Sequence, residues 1–142
     1  MNTFWSRMNL PTLVVSAAFA LICGSALAAD VSVKLVGAEE TPPTTSSATG
    51  TGTISIAADK SVSGNVKTQG IDGTVAHIHL GAVGQAGPPI ITLTKSTGGV
   101  WSVPAGAKLT DDQFASFKAG NLYVNVHSAD HPAGEIRGQL KP

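Results

Sequence analysis

The chain has 142 residues, nine Lys and Arg against nine Asp and Glu, and one cysteine. That length suits a single domain. Zero net charge argues against nucleic acid as a partner, because phosphate binding needs a basic surface, and one cysteine excludes an internal disulfide framework.

Residues 1–28 read as a secretory signal peptide. Arg7 precedes an apolar run from Leu10 to Cys23, and Ala26-Leu27-Ala28 offers the small residues that signal peptidase accepts. Lipoprotein processing at Cys23 is disfavoured by Ile22, where a small residue is expected, and by the competing site downstream. Cleavage after Ala28 removes Arg7 and the cysteine, leaving eight basic and nine acidic side chains in residues 29–142. A small exported domain without disulfides depends on apolar burial. No later apolar run reaches the length of a membrane span, so the expected location is periplasmic or secreted.

The remaining chain alternates in short runs separated by turn residues, the pattern of antiparallel strands. Val31, Val33 and Leu35 alternate first, followed by an extended connection from Gly37 to Ser47. Ile54 and Ile56 alternate in the next run, and Val62, Gly64 and Val66 in the one after, with Asp59-Lys60 as the hairpin turn between them. Asp72-Gly73 precedes the run VAHIHLG. Ile91 and Leu93 in PIITLT are expected to face Val100 to Val103 across Thr97-Gly98-Gly99, where two glycines supply the positive φ of a tight hairpin. Thr110-Asp111-Asp112-Gln113 has capping-box spacing, Phe114 and Phe117 share one face, and Gly120 closes a helix of about two turns. NLYVNVHS and GEIRGQL complete the series. Seven or eight short strands with one small helix imply an all-β, antiparallel sandwich or Greek-key barrel, with Trp101, Phe114, Phe117 and Leu122 buried together.

The chemistry-bearing residues fall on strands. In VAHIHLG, His77 and His79 point to one face, roughly 6.5–7 Å apart along the chain. In NLYVNVHS, Leu122, Val124 and Val126 oppose Tyr123, Asn125 and His127. In GEIRGQL, Ile136 and Leu140 oppose Glu135, Arg137 and Gln139. If these strands are neighbours, their polar faces merge, and cross-strand spacing of about 4.5–5.5 Å lets His77, His79 and His127 converge on one copper or zinc ion. His131, in the loop before Pro132, is a further candidate ligand. Tyr123, Asn125, Glu135 and Arg137 are supporting groups, with Glu135 able to orient an imidazole. The same residues are equally readable as a hydrogen-bonded polar cluster, with Glu135 and Arg137 as an ion pair, or as a solvated face. Ser128 and His127 are adjacent and therefore point apart, so they form no catalytic pair. The glycines of GAVGQAG lack the Gly-Lys-Ser/Thr ending of a phosphate loop and instead permit close backbone approach to the histidine face. Glu39 and Glu40 read as solvated charges, or less readily as a lid over that face.

Three stretches, LVGAEETPP, AHIHLGAVGQAGPP and NLYVNVHSADHPAGEIRGQL, closely resemble the CHRD domain, the module repeated in chordin and found singly in exported microbial proteins. The resemblance runs in order from Val31 to Leu140. It departs at Ala133, where the family usually carries a second glycine. It implies an exported all-β domain, which in chordin belongs to a secreted antagonist of growth factors, and it supplies no catalytic residues. A looser similarity, to copper/zinc superoxide dismutase, rests on the His-X-His strand alone. Cys23 is lost with the signal and no zinc-binding loop follows, so dismutase activity is not expected.

Two functions follow. One is a non-enzymatic binding module of the envelope or extracellular space, acting on a protein or glycan. The other is a copper- or zinc-binding protein. On the signal-peptide reading, mass spectrometry of the exported protein should find a chain beginning at Ala29; a retained, acylated Cys23 would reverse that reading.

Overall fold

The computed structural model describes residues 28–142. The signal-peptide expectation and Cys23 fall on residues outside that range, apart from Ala28. Nine strands form one antiparallel sheet: β1 (Ala29–Val36), β2 (Thr49–Ile56), β3 (Val62–Gln69), β4 (Gly73–Leu80), β5 (Pro89–Thr92), β6 (Thr94–Lys95), β7 (Val100–Ser102), β8 (Leu122–Ser128) and β9 (Ile136–Leu140). One helix, α1 (Asp111–Lys118), lies between β7 and β8.

The strand order is β5-β4-β8-β9-β1-β2-β3-β7-β6, and the sheet nearly closes into a barrel. The closing element is the PIITLT segment. Its first half pairs with β4, where Ile91 opposes Ile78. Leu93 still donates its N–H to Ala76 O at 2.9 Å, and then Thr94 and Lys95 oppose Ser102 and Trp101 of β7. One strand expected from the sequence is thus cut in two because it changes partners at a barrel corner. Ile91 faces β4 and not the β7 strand. The connections from β3 to β4 and from β7 to β8 each pass over intervening strands, which is Greek-key wiring.

Alternation accounts for the interior. Val31, Val33 and Leu35 of β1 are buried while Ser32 and Lys34 between them are exposed. The β2–β3 hairpin pairs Ile56 with Val62, and its turn places Lys60 at φ 72°, a left-handed conformation stabilised by Lys60 N–H bonding to Ala57 O at 2.8 Å. Gly98 and Gly99, at φ 70° and 74°, make the turn before β7. Their lack of a side chain also lets Thr68 O approach Gly99, where a Cβ would sit 2.6 Å from that oxygen.

The helix forms as its caps dictate. Gln113 N–H donates to Thr110 Oγ1 at 3.2 Å, and Thr110 N–H donates to Gln113 Oε1 at 3.0 Å, the reciprocal pair of a capping box. Gly120, at φ 77°, ends it. Phe117 is buried with Trp101 and Leu122 in the single apolar core, whereas Phe114 is only partly buried and packs against that core with Lys118 Nζ 5.0 Å from its ring. The two aromatic residues therefore contribute unequally. Phe117→Ala should lower unfolding stability by about 3–5 kcal/mol, and Phe114→Ala by clearly less, as measured by denaturant unfolding. Equal, negligible effects would show that the helix does not plug the core.

Candidate metal centre

The order β4-β8-β9 makes the three polar strand faces neighbours. His77 opposes Asn125, His79 opposes Tyr123, and Val75 opposes His127 between β4 and β8. Asn125 opposes Arg137, and Tyr123 opposes Gln139, between β8 and β9. All seven residues of β8 and all five of β9 are buried. Their aliphatic side chains face the barrel interior. Their polar side chains form a second layer on the barrel wall, covered by loops, so this face is not a solvated one.

The 81–88 loop, from Gly81 to Pro88, is held over the layer by its backbone. Arg137, 2% exposed, donates from Nη2 to Ala82 O at 2.8 Å and to Gln139 Oε1 at 3.0 Å, and from Nη1 to Gln85 O at 2.9 Å and to Thr41 Oγ1 at 3.3 Å. Gln139 Nε2 donates to Gly81 O and Gly120 O, both at 2.8 Å. Gly87 N–H donates to the Tyr123 hydroxyl at 3.1 Å. The loop lies so close that a Cβ on Gly81 would be 2.9 Å from the Tyr123 ring, and one on Gly87 would run into Leu80 O. The close approach expected of these glycines is therefore realised.

Within the layer the three imidazoles converge. His77, His79 and His127 each offer one nitrogen, and these atoms all lie within 4.8 Å of one another. The tautomers follow from backbone carbonyls, which can only accept. His79 Nδ1–H donates to Gly87 O at 2.9 Å, and His127 Nδ1–H donates to Pro132 O at 3.0 Å. Each ring consequently carries its lone pair on Nε2. His79 Nε2 is buried without a hydrogen-bond partner. His127 Nε2 is 3.2 Å from His77 Nδ1, where the half-buried His77 can donate a proton or, as its other tautomer, offer a lone pair. Burial, foremost, and the neighbouring charge of His127 hold His77 below the ordinary imidazole value. Burial likewise dominates in lowering His79, opposed by its bond to Gly87 and assisted by His77, His127 and Arg137.

The other expected site residues divide. Tyr123 stacks on His79 with ring centres 4.8 Å apart and planes at 9°, and Arg137 Cζ lies 3.5 Å from the centre of the Tyr123 ring on a cation–π contact. Asn125 sits mid-layer with its amide nitrogen bonded to Glu40 Oε1. Glu135 takes neither role expected of it. It accepts from Ser46 Oγ at 2.6 Å, makes no salt bridge with Arg137 among the described residues, and the imidazoles are oriented by carbonyls instead. Burial would raise the Glu135 carboxyl, but bonds from Ser128 and Ser46 and the charge of His131 together hold it below its ordinary value. His131 is not one of the converging ligands; its N–H caps Ser128 Oγ at 3.2 Å in the following loop.

Glu40 is the residue that sequence reasoning undervalued. It is 6% exposed, not solvated, and lies over Asn125 against Gly134, whose missing Cβ would be 2.8 and 2.9 Å from the two carboxyl oxygens. Its neighbour Glu39 is exposed as expected. Burial pushes Glu40 up to about 7, against the lowering effects of the Thr41 N–H, Arg137 and Asn125. The only sequence signal was position, in an extended connection long enough to cross a sheet face.

A carboxyl raised in the fold contributes stability that is present at low pH and lost as pH rises through the folded value. Glu40→Gln keeps the acceptor for Asn125 and removes the ionisation. The variant should match the native protein near pH 4.5 and become more stable than it between there and pH 8, by at most about 3 kcal/mol, in thermal or urea unfolding. A constant difference across that range would refute burial of the charge.

No curated protein and no solved structure matches this chain. The family model for the CHRD domain matches residues 31–140, nearly the whole described length, including every residue of the layer. A match over that length places the chain in the CHRD domain family.

Proposed function

We propose that this domain is an exported, non-enzymatic binding module whose ligand is a copper or zinc ion held by His77, His79 and His127. The observation that carries this reading is the pair of fixed Nε2 lone pairs, one of them buried with no partner, beside a third imidazole that can switch tautomer. A buried unpartnered acceptor is costly in a purely structural cluster. A metal ion satisfies it. Bonds of about 2.0–2.1 Å to three nitrogens require those nitrogens about 3.3–3.5 Å apart. The His77–His127 separation of 3.2 Å already approaches that, and closing the remaining separations, at most 4.8 Å, needs a contraction of up to about 1.5 Å, within reach of imidazole rotation. The carbonyls of Gly87 and Pro132 are the outer-shell acceptors that metal-bound histidines characteristically use.

Family membership supports the coarser part of the reading, since CHRD domains are extracellular or envelope modules and typically not enzymes. Export by residues 1–28, a single domain over 29–142 and a periplasmic or secreted location complete it. No helix among the described residues is long and apolar enough to cross a membrane. A protein or glycan partner is favoured by one further feature: Val83, at the tip of the 81–88 loop, is a large apolar side chain left 67% exposed.

Titrating metal-free protein, prepared without a histidine tag, with Zn(II) and copper should show one site. A His79→Ala/His127→Ala variant should bind about 100-fold more weakly or worse, with its circular dichroism checked for retained fold. Because burial keeps His77 and His79 neutral below their ordinary range, affinity should stay level from pH 8 to about 6.5 and fall only below that. Equal binding by the variant, or none tighter than millimolar, would leave the histidines as structural hydrogen-bonding groups.

A further inference from the structure

We propose that this domain forms a two-fold symmetric dimer through the tip of the 81–88 loop, with Val83 at its centre and Lys118 of each copy facing Glu39 of the other. This commits the protein-partner reading of Val83 to one occupant, a second copy of the chain, and it does not depend on a bound metal.

The tip is built to hold an apolar side chain in water. Gln85 N–H donates to Ala82 O at 3.0 Å, and Gly84 has a φ of 74° whereas Val83 has no positive φ. Residues 82–85 are therefore a type II turn with Val83 at its first corner. The buried guanidinium of Arg137 fixes both ends of that turn, bonding Ala82 O and Gln85 O. Val83 is the only large apolar side chain left exposed among the described residues. A loose loop would lose conformational freedom on association, but this one is already ordered, and such preorganisation favours binding.

The charges on either side of Val83 identify the partner. Val83 is the shared wall of two clefts. The cleft on the Ala82 side carries Lys118 and Lys141 and no Asp or Glu side chain, so it is cationic even counting a terminal carboxylate on Pro142. The cleft on the Gly84 side has the exposed Glu39 at its rim, above Glu40 and Arg137, which are buried and of opposite sign. No salt bridge among the described residues engages Lys118, Lys141 or Glu39. A two-fold axis at the tip, perpendicular to the line joining the clefts, lays the cationic cleft of one copy over the anionic cleft of the other. The patch is thus complementary to itself, as an isologous interface requires. Equal numbers of acidic and basic residues in the chain leave no net repulsion between copies. The contact is small, which makes the dimer a transient one.

Sedimentation equilibrium of the metal-free exported protein, from about 1 μM to about 1 mM at low salt, should show a monomer–dimer equilibrium with a dissociation constant below about 1 mM. Val83→Asp should weaken it at least about tenfold. Lys118→Glu and Glu39→Lys should each weaken it about fivefold or more, because a reversed charge meets its like twice in one interface. All three side chains are exposed, and circular dichroism checks that the variants keep the fold. The decisive arm mixes Lys118→Glu protein with Glu39→Lys protein. Every reversed charge then faces an opposite one, so the mixture should associate about as tightly as the native protein although neither variant does so alone. Native protein that stays monomeric at about 1 mM, a Val83→Asp variant that associates unchanged, or a mixture no tighter than its components would each overturn the dimer while leaving the metal site untouched.

Discussion

The second layer of this domain is organised by one buried cation. Arg137 hydrogen-bonds to no carboxylate, and a guanidinium removed from water must have its N–H groups satisfied. Two of its acceptors are backbone carbonyls of the 81–88 loop, one is the hydroxyl of Thr41 on the opposite covering segment, and one is Gln139 on its own strand. Those bonds tie both loops to the barrel wall. With the 81–88 loop so placed, Gly87 O is presented to His79 and the Tyr123 ring is enclosed between a cation and an imidazole. The histidine geometry thus depends on an arginine that is not itself a ligand.

A domain without disulfides has few ways to close a small barrel. Here β8 and β9 are buried on both faces, aliphatic within and polar without, and β4 flanks them with His79 buried and His77 half-buried. The outer layer adds buried contacts without further apolar residues, at the cost of requiring nearly every polar atom to be matched. Most are: Gln139 reaches two carbonyls, Thr44 Oγ1 reaches Glu135 O at 2.8 Å, and Asn125 reaches Glu40. The exceptions in this layer are His79 Nε2 and Asn125 Oδ1.

The same network explains why Glu40 is unusual. A carboxyl packed against Gly134 and an amide is desolvated more than its neighbours compensate, and so it titrates near neutrality. It shares a layer with a permanent cation, so the charge of this face changes with pH in a way that the apolar interior does not.

Short-range periodicity is legible in the residues directly. Alternation in NLYVNVHS and VAHIHLG settles which side chains share a face, because successive strand residues must point to opposite sides. The capping box at Thr110 and the glycine at Gly120 define the helix through local backbone bonds alone. The motifs from Val31 to Leu140 identify the family. The rest is set by non-local contacts. Strand order, on which the meeting of His77, His79 and His127 depends, is a property of non-local pairing that alternation does not encode. PIITLT divides at Leu93 because the barrel must turn a corner there. Glu135 and Arg137, two apart on one strand, look like a pair in sequence, yet each finds closer partners on segments some ninety and some fifty residues away. Glu40 lies in a stretch with the composition of a solvated loop. Its burial became visible only once that stretch was seen to cross the polar wall, because exposure is set by what covers a residue and not by the residues beside it in the chain.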